Sequence, residues 1–491
     1  MINRLAVGLV CGIAVVLSAV QVRADEPVTP LDELLQTPIS TASKYDQQMS
    51  DVPASVTVIT AEEIARYGWR TLADVLNSTS GVYTTYDRAY TYLGVRGVGL
   101  PSDYNNRFLV LIDGINMTLP GSIGIGTTLA IDLASFSRIE FIRGPGSTMY
   151  GTGAMFGVIN LITKDERERS SVTVGGGSAG LMTGAARASI AAGELKGSVA
   201  VSWQESRGRD LYIPEYDAPE TNHGVVRRGD WDHDRSILAT ARWRDVQFLA
   251  LQSTRSKGVP TGSWGTEFGG SQKITDGRTL FAIEGTRRLG AGKTLTARAF
   301  NDRFDYHGSY PFEGGSVLTD NSSTSSTSAE LQYVWDIRPT QRLTAGAGYV
   351  NSRISTYAWA LDGEAFSVGA PYETLSLSAQ LESKLSRLLT LTVGASYDNR
   401  SGAAAALTPK GALILKTGRN SALKVLYGRA FRAPNSYERE YESGDFYASD
   451  HLGRENIRTF ELVWEQKITP SVLLSAALFD QNMTDLIRLQ P

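Results

Sequence analysis

Apolar and polar side chains alternate residue by residue through many short segments between residues 165 and 491. Residues 329–337 place Ala, Leu, Tyr, Trp and Ile at the odd positions and mainly polar side chains between them, and residues 375–382 and 459–468 repeat the pattern. Successive side chains of a β-strand point to opposite faces, so each segment predicts a strand with one apolar and one polar face. Such strands are typical of a barrel with lipid outside and water inside.

The connections between the predicted strands alternate in length. About fifteen strands are predicted, with turns of a few residues near positions 193, 245, 290, 339, 386, 418 and 469. The intervening connections are roughly twenty residues each and lie near 209–234, 257–276, 307–325, 354–371 and 433–455. This alternation indicates periplasmic turns and extracellular loops. A soluble sandwich is disfavoured, since it gives no reason for the regularity and its outward faces would be polar.

Residues 1–24 have the composition of a secretion signal. Arg4 supplies the positive end, residues 5–20 form an apolar run, and residues 22–24 (Val-Arg-Ala) precede the expected cleavage site. The run is shorter than the roughly 18 residues that a spanning helix needs, so an N-terminal anchor is the less favoured alternative. Cys11, the one cysteine of the sequence, lies in this run. The exported protein is therefore expected to lack disulfides and thiolate metal sites.

Residues 25–164 lack the alternation and predict a smaller domain that mixes helices with strands. Strands are predicted at Ser55–Thr60, Phe108–Ile112, Ile139–Ile142 and Val158–Thr163. Helices are predicted to begin after Thr60 and Thr71, each followed three residues later by an acidic side chain with capping-box spacing. The glycine-rich residues 143–157 lack the Gly-Lys-Ser/Thr of a nucleotide loop, so they predict a tight chain path in preference to a phosphate site.

Several motifs of this domain occur together and in order. They are Pro53 to Thr60 (PASVTVIT), residues 72–81, Val95 to Gly97 (VRG), Val110 to Gly114 (VLIDG), Arg138 to Pro145 (RIEFIRGP) and Asn160 to Lys164 (NLITK). Together they resemble the plug of TonB-dependent outer-membrane receptors. The resemblance implies a mainly β fold, in which a transmembrane antiparallel β-barrel, incomplete at about 15 of 22 strands, encloses an N-terminal mixed α/β plug domain. The implied domains are a signal peptide (1–24), a periplasmic tail with a candidate TonB box (25–50), the plug (51–164) and a partial barrel (165–491).

The resemblance also implies active uptake across the outer membrane of a Gram-negative bacterium, and no enzymatic activity. The implied partners are the TonB energy-coupling complex, outer-membrane lipid, an extracellular metal chelate such as a siderophore, and the barrel-assembly machinery. The candidate TonB box, an extended segment able to add as an edge strand, is Thr37, Pro38, Ile39, Ser40, Thr41, Ala42 and Ser43. A flexible linker is the alternative. A net charge of −3 disfavours nucleic acid as a partner.

The cargo is less constrained than the fold. Ferric siderophores are the commonest cargo of the family and are favoured here; a haem or cobalamin receptor and a passive porin or surface-binding barrel are the alternatives. Phe431 to Pro434 (FRAP) and His451 favour the haem alternative. Candidate ligand contacts on the plug apex and outer loops are Tyr90, Tyr92, Asp103, Tyr104, Asn105, Arg107, Trp231, Trp264 and Tyr310. No catalytic residue, resident cofactor or metal site is predicted, and the acidic residues 230–234 are interpreted as a solvated loop in preference to a cation site.

The predicted strands do not complete a plugged transporter. Such transporters have 22 strands, so about seven more would need roughly 150 further residues. An open strand edge in hydrocarbon leaves backbone groups without hydrogen-bond partners. The sequence is therefore expected to be a truncated or frameshifted product, or a fragment, of a receptor of roughly 640 residues, and the shortening could leave it without function.

Overall fold

The computed structural model describes residues 38–39, 41, 44–45, 47–99, 105–118, 130–165, 168–418, 420–443, 447–449, 451–469 and 472–488. The predicted signal peptide of residues 1–24 lies outside the described residues. So do six of the predicted site residues, which are Thr37, Ser40, Ala42, Ser43, Asp103 and Tyr104.

The N-terminal domain is built on a mixed β-sheet. Its strands are β1 (Ser55–Thr60), β2 (Val82–Tyr86), β3 (Thr91–Val95), β4 (Phe108–Ile112), β5 (Ile115–Asn116), β6 (Phe136–Arg143) and β7 (Gly157–Thr163). Five of them form a sheet in the order β1-β6-β7-β4-β5, in which β4 and β7 are parallel and the other neighbours antiparallel. Strands β2 and β3 form a separate hairpin. The predicted mixture of helices and strands is confirmed.

The two helices predicted in this domain begin at the predicted caps, Thr60 and Thr71. Helix α1 spans Ala61–Tyr67 and α2 spans Leu72–Asn77, followed by the single turns α3 (Ser147–Tyr150) and, near the end of the chain, α4 (Ser436–Glu440). The Thr60 N–H donates to the Glu63 carboxylate at 2.8 Å, and the Thr60 hydroxyl accepts from the Glu63 N–H. Gly68 ends α1 with φ of 68°, a conformation that glycine adopts without steric cost. Every helix among the described residues is too short or too polar to span a bilayer.

The remaining strands form one large antiparallel sheet and a small loop hairpin. They are β8 (Ser171–Gly176), β9 (Met182–Ala192), β10 (Leu195–Ser206), β11 (Leu211–Tyr212), β12 (Val225–Val226), β13 (Asp232–Trp243), β14 (Val246–Gly258), β15 (Lys273–Gly290), β16 (Lys293–Pro311), β17 (Val317–Arg338), β18 (Gln341–Leu361), β19 (Glu364–Gly369), β20 (Tyr372–Lys384), β21 (Leu389–Arg400), β22 (Ala406–Gly418), β23 (Ser421–Arg432), β24 (Glu455–Thr469) and β25 (Val472–Thr484).

Fifteen of these strands follow one another around the sheet in sequence order, from β8 to β25, which confirms the predicted strand number. Strands β11 and β12 pair with each other, and β19 pairs only with β18. Strands β8 and β25 lie at the two ends of the sheet, and within the described part of the chain each is paired on one side only.

One face of the large sheet surrounds the N-terminal domain, and the opposite face is exposed. On β15, Leu280 and Ala282 are buried, whereas Phe281 and Ile283 are 60% and 44% exposed. A single core of buried apolar side chains includes Phe108 of the N-terminal domain together with Leu280. The alternation predicted from the sequence is therefore confirmed, and its inner face is the one that holds the N-terminal domain.

Strands β16, β17 and β18 extend further than predicted. The sequence predicts a loop at 307–325, but β16 continues to Pro311 and β17 begins at Val317. Likewise, β18 continues to Leu361, inside the loop predicted at 354–371. Beyond the bilayer neither face of a strand has to be apolar, so the alternation is lost while the hydrogen-bonded ladder continues.

Candidate functional site

The chain before β1 folds back against the N-terminal domain. Ile39 and Gln47 form an antiparallel bridge with N···O distances of 2.8 and 3.0 Å. Ile39 is 0% exposed and Thr41 is 1% exposed. Pro38, Ile39 and Thr41 are the described residues of the predicted TonB box, and two of them are therefore packed inside the protein.

The carboxylate of Glu140 holds this tail. It lies in the middle of β6, is 0% exposed, and accepts the Thr41 hydroxyl at 2.5 Å and the Arg138 Nε–H at 2.8 Å. Asn160 of the neighbouring strand β7 donates to the Thr41 hydroxyl oxygen at 2.9 Å, and the Tyr150 hydroxyl donates to the Thr41 carbonyl at 2.7 Å. A buried carboxylate is stable only when it is paired and hydrogen-bonded. Glu140 therefore ties the position of the tail to the central sheet.

A second set of contacts joins the tail and the domain to the large sheet around Arg298. Arg298 of β16 donates to the Gly114 carbonyl at 2.8 Å, and it forms ion pairs with Glu284 and, at 3.6 Å, with Glu330. Lys44 of the tail lies 3.8 Å from Glu330. Burial lowers the pKa of Lys44, and the negative charge of Glu330 opposes this shift.

Asp113 occupies the turn between β4 and β5 beside these charges. Its carboxylate accepts the Thr163 N–H at 2.9 Å and the Thr163 hydroxyl at 2.7 Å. Burial raises the pKa of Asp113, and the two hydrogen bonds from Thr163 and the charge of Arg298 oppose this shift. Its φ of 49° is left-handed, a conformation that Asp tolerates better than most residues, consistent with a tight turn.

Two buried ion pairs fix the domain against the last strands of the sheet. Arg96 lies 2.5 Å from Glu461, with side chains 5% and 3% exposed. Arg107 lies 2.5 Å from Glu455, which also pairs with Arg432 at 2.8 Å. Removing one partner of such a pair leaves an uncompensated buried charge, so these contacts hold the domain in one position.

Three of the predicted ligand contacts come together where the domain meets the long-loop end of the sheet. This aromatic cluster consists of Tyr90, Tyr92, Val259, Ile274 and Phe304, with Tyr306 and Tyr310 packed against it. The Tyr90 hydroxyl donates to Asp276 at 3.0 Å. The hydroxyls of Tyr306 and Tyr310 hydrogen-bond to each other. The cluster thus places several phenols at one junction of the domain and the wall.

The aromatic cluster and the tail lie at opposite ends of the wall. The side chain of Gln332 donates to the Lys44 carbonyl at 2.6 Å, and Gln332 is opposite Thr296 in the strand register. Tyr310 lies on the same strand as Thr296, fourteen positions further along. At about 3.3 Å per residue the two levels are roughly 46 Å apart.

The other described contact candidates are not gathered in the aromatic cluster. Asn105 is 4% exposed, and its side-chain oxygen accepts the Leu93 N–H at 2.7 Å. Arg107 is committed to its ion pair with Glu455. Trp231 is partly buried, and Trp264 is 60% exposed. Asn105 and Arg107 therefore serve the packing of the domain in this state.

The acidic segment at residues 230–234 is paired with basic side chains. Asp230 forms an ion pair with Lys257, and Asp232 lies 2.8 Å from Arg255. Within the residues that the structure describes, no group of three or more His, Cys, Asp or Glu side chains is placed to hold a metal ion.

Sequence reasoning missed Glu140, Arg298, Glu455 and Glu461. A signal existed for Glu140, because a charged residue in the middle of an apolar strand must be paired when the strand is buried. The other three occupy the water-facing positions of barrel strands, where charged residues are common and mark no particular partner.

Two family models match the chain over most of its length. Residues 48–158 match the TonB-dependent Receptor Plug Domain. Residues 202–491, more than half of the chain, match the TonB dependent receptor-like beta-barrel.

The similar proteins agree with these models. Over 145 residues the chain is 37% identical to the iron-regulated outer membrane virulence protein of Vibrio cholerae, a match that covers 28% of this chain and 22% of that protein. This chain thus matches about a fifth of the length of that curated relative. Its fold is similar to that of the ferric yersiniabactin uptake receptor FyuA from Yersinia pestis (TM-score 0.74, 16% identity, 88% of this chain and 73% of that chain).

A second solved structure, the alcaligin outer membrane receptor FauA from Bordetella pertussis, has a TM-score of 0.68 and 16% identity, and the match covers 95% of this chain and 77% of that chain. The N-terminal domain corresponds to the plug and the large sheet to the barrel wall of these receptors. Family and fold are those of outer-membrane receptors and transporters, not of enzymes. The chain belongs to the TonB-dependent receptor family.

Proposed function

We propose that this protein captures a ferric siderophore at the cell surface and imports it with energy relayed by TonB. The observation that carries the proposal is that one plug contacts the aromatic cluster at one end and the docked tail at the other. Ligand binding at the aromatic cluster can therefore change the contacts of the docked tail at the periplasmic end through a single packed domain. The similar proteins include an iron-regulated outer membrane virulence protein and a ferric yersiniabactin uptake receptor, which favours iron as the cargo.

The ligand would bind above the aromatic cluster. Tyr90, Tyr92 and Tyr310 line the junction, and Trp264 presents an exposed ring in a long loop. Aromatic rings offer large, rigid contact area to the flat chelating groups of siderophores, and phenols add hydrogen bonds. Asp103, Tyr104 and Trp231 complete the proposed set of contacts.

Residues 37–43 would act as the TonB box. Ile39 already pairs its backbone with Gln47, which supports a capacity for strand pairing. Once released, the same N–H and C=O groups would add to the edge of a TonB sheet. Replacing Ile39 with proline removes the N–H that such pairing needs and should abolish uptake while leaving surface binding intact.

Uptake can be tested in Gram-negative cells that lack their own iron receptors. The cells express the full chain and receive radio-iron-labelled ferric complexes of a tris-catecholate, a tris-hydroxamate or citrate, or haem. We expect surface binding of at least one ferric chelate, and uptake that disappears when tonB is deleted. Tyr310→Ala and Trp264→Ala should each weaken binding about tenfold, as expected for aromatic contacts of 1–2 kcal/mol. Phe281→Ala, on the lipid-facing side, is the matched control.

Two results would contradict the proposal. If the cells bind haem and none of the ferric chelates, the cargo is haem and not a siderophore. Uptake that persists without TonB would favour a passive barrel.

A further inference from the structure

A large cavity lies between the plug and the wall formed by β13 to β18. Its volume is about 1320 Å³. It is lined on the wall side by inward-facing residues close to the short turns, such as Arg242, Arg288 and Thr294, and on the plug side by residues that include Gly114 and Lys164. We call it the vestibule.

The vestibule has an excess of positive charge. Eight basic and five acidic side chains line it. Deep in the vestibule, Arg298 is neutralised by its ion pair with Glu284. The side chains of Arg242 and Arg288, close to the turns, form no ion pair or hydrogen bond with any residue that the structure describes. Unpaired cations in a cleft with low-dielectric walls attract anions and raise their local concentration.

A second cavity of about 110 Å³ lies further along the same wall, towards the aromatic cluster. Many hydroxyl groups line it, including those of Ser326, Ser328, Thr344 and Ser378, together with the carboxylates of Asp302, Glu330 and Asp398. It shares Lys44, Gly114, Tyr150 and Gln332 with the vestibule, so the two spaces adjoin. The hydroxyl groups offer both donors and acceptors. Asp302 and Glu330 form ion pairs with Arg278 and Arg298, and the Asp398 carboxylate accepts hydrogen bonds from Ser376 and Ser396, so each carboxylate already has a partner.

A narrow set of contacts separates the two cavities. Arg298 holds the Gly114 carbonyl at 2.8 Å and is paired with Glu330 at 3.6 Å, while Lys44 lies 3.8 Å from Glu330. Both Gly114 and Lys44 belong to the plug and its tail, whereas Arg298 and Glu330 belong to the wall. A small displacement of the plug at this point would join the cavities without removal of the whole domain.

We propose that the two cavities form the route by which an anionic metal chelate crosses the protein, with the Arg298 contacts as the constriction and Arg242 and Arg288 as the anion-attracting exit. The route rests on the proposed uptake function. It requires the plug to stay in the barrel and to shift at Gly114 and Lys44.

A cysteine-blocking experiment tests the route. The one native cysteine, Cys11, lies in the predicted signal peptide. In the full chain, Thr294→Cys places a thiol in the vestibule, and Leu295→Cys, the next residue on the same strand, places one on the lipid-facing side. Each variant is labelled with a bulky maleimide, and binding and uptake of the tris-catecholate, tris-hydroxamate and citrate complexes are measured. Labelling at position 294 should abolish uptake with surface binding unchanged, and labelling at position 295 should alter neither.

A charge-reversal experiment tests the exit. Arg242→Glu combined with Arg288→Glu should lower uptake of the catecholate or citrate complex, both anionic, about tenfold, without weakening surface binding. The charge-preserving pair Arg242→Lys and Arg288→Lys is the control. If the protein imports the neutral hydroxamate complex but neither the catecholate nor the citrate complex, the proposal of an anionic cargo is overturned.

The outcomes separate the route from the uptake function. Normal uptake by the labelled Thr294→Cys protein overturns the route and leaves the uptake function standing. Absence of both binding and uptake in the unlabelled parent chain overturns the uptake function, and the route falls with it.

Discussion

Thr41 donates both its hydroxyl and its backbone N–H to the same carboxylate oxygen of Glu140, at 2.5 and 3.3 Å, across 99 residues of sequence. The oxygen is buried in the central sheet of the plug. Hydrogen bonds to a charged group contribute about 1.5–3 kcal/mol each. The docked position of the tail therefore depends strongly on one side chain of β6.

Thr41→Val removes the hydroxyl donor and keeps the shape of the side chain. We expect the docked tail to lose about 1.5–3 kcal/mol, which corresponds to a 10- to 150-fold larger undocked population, to order of magnitude. Hydrogen–deuterium exchange of the Ile39 and Thr41 amides in detergent would measure this as faster exchange. Ser50→Ala is the control, because the Ser50 hydroxyl makes a 3.4 Å contact with Asp51 and does not touch Glu140. Unchanged exchange in Thr41→Val would show that the hydroxyl bond to Glu140 does not hold the tail.

Arg96→Met should destabilise the plug by about 3–5 kcal/mol, because it leaves the buried Glu461 carboxylate without its partner. The double variant Arg96→Met and Glu461→Met should cost less than the two single changes added together. The free energy of plug opening from hydrogen exchange measures the effect. Arg244→Met breaks the exposed pair with Glu194 and should cost at most about 1 kcal/mol. If the double variant cost as much as the two single variants added together, Arg96 and Glu461 would not stabilise each other.

The stability of the plug should fall as pH rises through the raised pKa of Asp113. Burial disfavours the charged carboxylate, so the folded state binds the proton more tightly than the unfolded state, whose pKa is near 3.8. The stabilisation is fully present below that value and is lost as pH passes the folded pKa. Two nearby charged groups also act on the pKa of Asp113: Arg298 lowers it and Glu284 raises it.

Asp113→Asn should remove this part of the pH profile, and Asn keeps an oxygen to accept the Thr163 N–H. Thr163→Val removes the hydroxyl that favours the charged carboxylate, so it should enlarge the dependence. The free energy of plug opening measured from about pH 4 to about pH 8 tests both variants. A profile that Asp113→Asn leaves unchanged would assign the dependence to another group.

Gly157→Ala should destabilise the plug sheet by about 1–3 kcal/mol through overpacking. A Cβ at Gly157 would lie 2.5 Å from the Ile142 carbonyl oxygen and 2.7 Å from the Phe141 ring, and a backbone carbonyl cannot rotate away. Gly411→Ala is the matched control, because a Cβ there meets no atom within 4 Å. Plug opening followed by hydrogen exchange compares the two. If Gly157→Ala and Gly411→Ala had equal effects, strands β6 and β7 could move apart to accommodate the added Cβ without a loss of stability.

Local chemistry made the helix starts and the two-faced strands predictable. The Thr60 cap needs only Glu63 three residues later. The strands are predicted by the alternation of apolar and polar residues. The contacts that define the candidate site are different in kind. Glu140 meets a threonine 99 residues earlier, and Arg298 meets Gly114 across 184 residues, so no local pattern specifies either partner. The extra length of β17 was also missed, because its ladder continues where alternation has ceased.

Strand β17 has 22 residues, which makes it roughly 70 Å long. The hydrocarbon layer of a bilayer is only about 30 Å thick, so even a tilted strand of this length stands well clear of the lipid. Its pairing with β18 persists as far as Thr319 and Ala360. The outer rim on this side is consequently rigid. When a macromolecule binds to this rim, the receptor loses little conformational entropy.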